Sequence, residues 1–153
     1  QQVFLNGENV TGLIRTEQVS DMTSRSSAKP QVRAKLTELQ RTLAKKEDVL
    51  MDGRDFGTMI LPDAQLKIFL TASVKTRAER RYKEQIEKGE SCTLEEIERD
   101  IKERDYRDSH RETAPLRQAE DAVLVDSSDM TIDEVVTEIV ALARERMQTA
   151  TCR

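Results

Sequence analysis

The sequence predicts an α/β fold built on a parallel sheet, and three observations carry that prediction. Short, nearly continuous apolar runs at residues 49–51, 66–72 and 122–125 have the length and density of strands buried on both faces. Helical periodicities lie between and after them. Strands that alternate with helices are joined most simply as parallel neighbours through right-handed crossovers.

Each element has a local reason. Residues 1 to about 12 read as strand and turn, Val3-Phe-Leu followed by Asn6-Gly7, a dipeptide that favours a two-residue hairpin. Residues 16–27 read as a helix with Thr16 as its N-cap. Pro30 opens the next helix, in which Val32, Leu36, Leu39 and Leu43 recur at spacings of four, three and four and form a packing face. Pro62-Asp63 marks a turn between the first two strands. A charge-dense helix runs from about Val74 to Lys88 and stops at Gly89. Thr93 and Glu96 form a capping-box signature for a helix whose Leu94, Ile97 and Ile101 keep one apolar face. Thr131 and Glu134 cap a last helix with Ile132, Val135, Val136, Ile139 and Ala143 as its buried side.

Composition narrows the class. The 153 residues suffice for one domain, but with 37% hydrophobic and 35% charged residues, three Phe, two Tyr and no Trp the core must be thin. A net charge of −4 argues against a nucleic-acid backbone as main partner, since a wide phosphate footprint requires basic excess. Cys92 and Cys152, one in a charged helix and one near the end of the sequence, do not suggest a structural disulfide, which fits a cytoplasmic protein. No apolar run reaches the length of a membrane span, and residue 1 onward lacks the basic-then-apolar pattern of a signal peptide. No repeat or low-complexity tract is present.

Two clusters carry the candidate chemistry. In Asp52-Gly-Arg-Asp-Phe-Gly-Thr58 an apolar run breaks into a turn with two carboxylates, a guanidinium and two glycines, at the strand end where open α/β sheets place ligands. The planar fork of Arg54 suits phosphate, and Asp55 suits an exocyclic amine or a hydroxyl; a solvated β-turn is the alternative. In Lys102-Glu-Arg-Asp-Tyr-Arg-Asp-Ser-His-Arg-Glu-Thr-Ala-Pro-Leu116, helical spacing puts Arg104, Asp108 and Arg111 on one stripe, two guanidiniums flanking a carboxylate. Taken alone, that cluster is read slightly better as a solvated face knitted by ion pairs. His110, the sole histidine, has no second metal ligand in view, and no metal site is expected.

With Glu8-Asn-Val-Thr-Gly-Leu-Ile-Arg-Thr16, Pro30-Gln-Val-Arg33 and Pro62-Asp-Ala-Gln-Leu-Lys-Ile-Phe-Leu-Thr-Ala-Ser73, these clusters stand in an order and spacing that resembles bacterial cytidylate kinases, nucleoside monophosphate kinases, over essentially the whole chain. The resemblance implies a P-loop NTPase-like parallel sheet with helices on both faces. It assigns residues 1–46 to the remainder of a monophosphate-binding insert and residues 47–153 to the core, with a helical lid at about 76–112. It also implies transfer of the ATP γ-phosphate to CMP or dCMP, with Mg²⁺. In that reading Ser24 and Asp55 accept from the cytosine amino group and Arg33 donates to the ring nitrogen and carbonyl. Arg54 and Arg111 grip the acceptor phosphate, Arg104 and Asp108 hold the ribose, and Arg54, Arg104 and Arg111 form the catalytic set. Arg77, Arg80 and Arg81 lie where the lid approaches ATP, although a solvated helix face is the better reading for each; only Arg80 is assigned to the ATP side.

One departure matters as much. The family's G-x-x-x-x-G-K-[ST] loop is missing: Gly7 and Gly12 have the separation, but Leu13 and Ile14 follow where Lys and Ser or Thr are needed. The chain therefore reads as the C-terminal two thirds of such an enzyme, inactive alone and partnered by an N-terminal segment, with the absent strand inside the sheet. A non-catalytic nucleotide-binding or subunit-interaction module, and a kinase for UMP or AMP, stay open at this point.

Overall fold

A computed structural model describes residues 2–14, 16–27 and 29–151, with the side chains at 17, 20, 21, 24, 150 and 151 outside the described set. It is a mixed α/β chain that divides into two units, Gln1–Leu50 and Met51–Arg153.

The first unit holds a hairpin of β1 (Phe4–Leu5) and β2 (Glu8–Asn9), then α1 (Glu17–Ser27) and α2 (Pro30–Lys46). Phe4 pairs with Asn9 and Leu5 with Glu8. The turn places Asn6 at φ 51° and Gly7 at φ 88°, two successive left-handed residues whose twist matches that of the strands they join. Gly7 is thus a hairpin glycine, and residues 11–14 form turns and not the helix a phosphate loop would feed. Thr16 caps α1 through Oγ1, accepting from the Val19 amide at 3.3 Å. Pro30 stands in the first turn of α2, where its missing N–H costs nothing. The packing face predicted on α2 is not covered: Val32, Leu36, Leu39 and Leu43 are 38 to 53% exposed. The cause is a shortage of apolar partners, since α1 offers Val19 and Met22 and both are themselves exposed.

The second unit is centred on a parallel pair, β3 (Ile68–Thr71) with β4 (Val123–Asp126), in the register Ile68 to Val123 through Thr71 to Asp126. Between them run α3 (Val74–Glu87) and α4 (Leu94–His110), which pack Ala78, Ile97 and Ile101 together with Val74, Tyr82, Cys92 and Leu94. Ser73 caps α3 by accepting from the Thr76 amide, and Gly89 leaves that helix at φ 76°. Thr93 accepts from the Glu96 amide at 3.3 Å and donates its hydroxyl to Glu96 Oε2 at 2.7 Å. Thr131 and Glu134 make the full reciprocal box at the start of α5 (Ile132–Thr151), backbone amide to side chain in both directions. The Lys67 ammonium, on a buried side chain, donates to both Asp121 oxygens at 2.8 and 2.7 Å and to the Pro62 carbonyl, tying the entry of β3 to the turn before β4.

Two further predicted features differ. Residues 49–51 form no strand: they have no ladder partner among the described residues, Leu50 is 96% exposed, and an apolar run without a neighbour cannot satisfy strand pairing. The predicted buried side of α5 is only partly buried, with Ile132 82% and Val136 53% exposed while Val135, Ile139 and Ala143 are half-buried. A sheet of two strands offers too narrow a face to cover a helix of 20 residues.

Candidate active site

The charged residues gather where α4 ends. One helical turn separates Arg104 from Asp108, with Arg104 Nε 4.0 Å from Asp108 Oδ2. Arg54 reaches the same carboxylate from the turn that follows the apolar run. Next to it on the helix, Asp105 is held by both terminal nitrogens of Arg77, at 3.0 and 2.6 Å, and the Nε of Arg77 donates to the Ala72 carbonyl at 2.9 Å. Arg77 therefore braces the end of β3, α3 and α4 with all three of its nitrogens.

The predicted stripe is corrected in one respect. The helix ends at His110, so Arg111 leaves the helical path with φ −69° and ψ 142°. Asp108 is flanked by Arg54 and Arg104, not by Arg104 and Arg111. Arg111 instead donates through Nε to the Ala114 carbonyl at 2.6 Å, while the Leu116 amide folds back onto the Asp108 carbonyl at 2.8 Å.

The electrostatics follow from this crowding. Burial lowers the Arg54 pKa most, the Arg104 and Arg111 guanidiniums lower it further, Asp105 opposes them and Arg77 adds to the lowering. Arg54, Arg104, Arg111 and Arg77 are thus close enough to act on one another's charge, with Asp108 paired to Arg54 and Asp105 to Arg77 among them.

The other predicted residues lie in different settings. Asp55 is buried, and its backbone carbonyl accepts from the Met59 and Ile60 amides at 2.9 and 3.3 Å, opening a short π-helical turn, Phe56–Ile60. Arg33 is half-buried on α2 in the first unit, and Ser24 stands on α1 with its side chain outside the described residues, as Cys152 is altogether. Arg80 donates through Nη2 to the Ser127 and Met130 carbonyls at 2.6 and 3.2 Å and through Nη1 to Ser127 Oγ at 3.3 Å, so its fork clasps the β4–α5 turn. In the sequence Asp105 is only one more charge beside Arg104, and Arg77 stands on a helix face that reads as solvated. Their pairing spans 28 positions, a separation that no local spacing reveals. Among the described residues no cluster of three His, Cys, Asp or Glu side chains is poised for a metal, and the sequence holds no G-x-x-x-x-G-K-[ST], the cradle that fits Mg²⁺ and a triphosphate.

The sequence model of the family described as Cytidylate kinase matches residues 1–145. The chain belongs to the cytidylate kinase family. It is 54% identical over 146 residues to a cytidylate kinase of Ligilactobacillus salivarius, covering 95% of this chain and 65% of that protein. Against a cytidylate kinase of Streptococcus pneumoniae it is 52% identical over 147 residues, 96% of this chain and 66% of the other. One from Lactobacillus johnsonii is 49% identical over 148 residues, 97% of this chain and 64% of the relative. The chain thus spans about two thirds of the length of the cytidylate kinases it matches. Among the described residues no helix is long and apolar enough to cross a membrane.

The Arg77–Asp105 brace makes a prediction for stability. Hydrogen bonding from Arg77, the largest cause, holds the Asp105 carboxyl below the ordinary carboxylate range against the opposing effect of burial. A group whose folded pKa is depressed stabilises above its unfolded value, about pH 4, and that stabilisation is lost as pH falls through the lower folded value. Both side chains are 36% exposed, so solvent screens the pair, and Asp105→Asn should be less stable than the parent by about 0.5–1 kcal/mol at pH 7, a gap that should close under acid. Melting curves followed by circular dichroism between pH 3 and 7 check this; a gap independent of pH would show that the carboxylate's charge is not what the brace uses.

Proposed function

We propose that this chain is the acceptor-side part of a cytidylate kinase that transfers the γ-phosphate of ATP, with Mg²⁺, to CMP or dCMP. The observation that supports this most is the convergence of Arg54, Arg104 and Arg111 on one cationic field in a chain of the cytidylate kinase family. Phosphoryl transfer passes through a loose transition state in which positioning and neutralisation supply most of the rate, so guanidiniums serve as the machinery and no general base is called for.

In this reading Arg54 and Arg111 grip the acceptor phosphate, Arg104 and Asp108 hold the ribose, and Ser24, Arg33 and Asp55 read cytosine. Arg80 is assigned to the ATP side. The phosphates of ATP and the Mg²⁺ ion belong to a P-loop on an N-terminal segment, since this chain has no residues that fit them. Residues 1–46 correspond to the remainder of the monophosphate-binding insert and 47–153 to a P-loop NTPase-like core with a helical lid at about 76–112. The unpaired run at 49–51 is consistent with a sheet completed by that N-terminal strand. Neither a nucleic acid nor a membrane enters this function, which is that of a cytoplasmic enzyme of pyrimidine nucleotide metabolism.

The decisive experiment is base selectivity. Cytosine presents an amino donor beside two acceptors where uracil presents a carbonyl and a ring N–H, so a carboxylate and a guanidinium discriminate between them. Arg33→Ala and Asp55→Ala, each in the full-length background, should lose about 1–3 kcal/mol of preference for CMP over UMP. Steady-state rates with both nucleotides measure it. Unchanged CMP/UMP ratios in both variants would remove these residues from the base pocket.

A further inference from the structure

Ala114 has a backbone conformation that its sequence context disfavours. It is a non-glycine residue at φ 51°, only 4% exposed, and directly precedes Pro115. The left-handed region crowds Cβ against the following carbonyl, and a proline ring pushes the residue before it toward extended conformations, so this geometry persists only where its surroundings impose it. They do so here: the Leu116 amide is fastened to the Asp108 carbonyl at 2.8 Å, and the Ala114 carbonyl accepts from Arg111 Nε at 2.6 Å.

The effect falls on Arg111. Among the described residues its one hydrogen bond is through Nε, and its charge acts on Arg54. An arginine side chain has many rotamers, and ordering it on a ligand carries an entropic cost unless it is ordered beforehand. A carbonyl fixed at Nε removes most of that freedom and leaves both Nη groups, the pair that makes a bidentate fork, for a ligand's oxygens. We propose that Ala114 is a positioning residue: its left-handed backbone presents a carbonyl to Arg111 Nε and so pre-orients the guanidinium for the acceptor phosphate. The inference rests on the assignment of Arg111 to that phosphate.

The test is a set of variants in the full-length background. A β-branched residue cannot adopt the left-handed conformation without severe crowding, so Ala114→Val turns the carbonyl away, whereas Ala114→Gly keeps it at no steric cost. Ala114→Val should lower kcat/KM for CMP by about ten- to a hundredfold with KM for ATP unchanged, while Ala114→Gly stays within about twofold of the parent. In an Arg111→Lys background, Ala114→Val should add little, because the Nε it serves is gone. Should Ala114→Val fail to fold, Ala114→Thr, which is also β-branched, is read in the same way. Losses that are additive with Arg111→Lys, or that Ala114→Gly shares in full, overturn the positioning role. An Arg111→Lys enzyme of normal turnover overturns the phosphate assignment instead, so the two failures are distinguishable.

Discussion

Replacing Arg111 with lysine in the full-length background should cut turnover by about a hundredfold while moving stability by less than about 1 kcal/mol. Lysine keeps the positive charge but has neither an Nε–H for the Ala114 carbonyl nor a planar pair of donors for two phosphate oxygens. Its three donors radiate from one nitrogen, so it cannot present a coplanar pair to two phosphate oxygens while another nitrogen is fixed on the Ala114 carbonyl. If charge alone were needed, Lys would suffice, and the field from Arg54, Arg77 and Arg104 would make up most of any deficit. The assay is kcat and kcat/KM for CMP beside a melting curve of the same preparation. A loss of transition-state stabilisation lowers both kinetic constants together, whereas a loss of folded protein lowers activity in step with the melting temperature. Normal turnover, or a deficit that tracks unfolding, would remove Arg111 from the phosphate site.

The parts of this structure that were legible in the sequence are those whose causes are local. Asn6-Gly7 dictates a two-residue turn because both positions need positive φ, and the structure has φ 51° and 88° there. Thr16, Thr93 and Thr131 cap helices because a hydroxyl three residues ahead of an orphan amide can reach it. The two strands that pair, at 68–71 and 123–126, were visible as apolar runs. Faces that need a distant partner were not legible. Periodicity makes Val32, Leu36, Leu39 and Leu43 a stripe, but whether a stripe is covered depends on neighbours, and here it is exposed. The same holds for residues 49–51, apolar enough for a central strand yet without a ladder.

The site divides the same way. Arg104 and Asp108 were readable because a helical turn brings them together. The stop of α4 at His110, which sends Arg111 to Ala114 and leaves Arg54 on Asp108, has no strong local signal: neither Gly nor Pro follows directly, and Pro115 stands five residues on. Asp105 became visible only through Arg77, which reaches it from another helix. Charge spacing along one helix thus identifies candidates, and tertiary contact decides which carboxylate faces which guanidinium.

The largest effect is expected from this chain by itself: the 153-residue protein should form no measurable CDP from ATP and CMP, although it should bind CMP weakly. Donor phosphates are held in this kind of chemistry by a run of backbone amides at a helix N-terminus, a lysine and a hydroxyl on the metal. The sequence holds no G-x-x-x-x-G-K-[ST], and the one glycine pair at the right separation begins in a hairpin turn. The guanidiniums at the end of α4 cannot take that duty over, because neutralising the acceptor already engages them and a second polyanion there would compete with CMP. Weak CMP binding should persist, since the Arg54, Arg104 and Arg111 field lies wholly within the unit Met51–Arg153. Mixing the purified chain with a separately produced N-terminal segment carrying the P-loop should restore part of the activity, read as CDP formation by chromatography. Robust ATP-dependent CDP formation by the homogeneous chain alone, its intact mass confirming 153 residues, would falsify the assignment of the donor site to another segment.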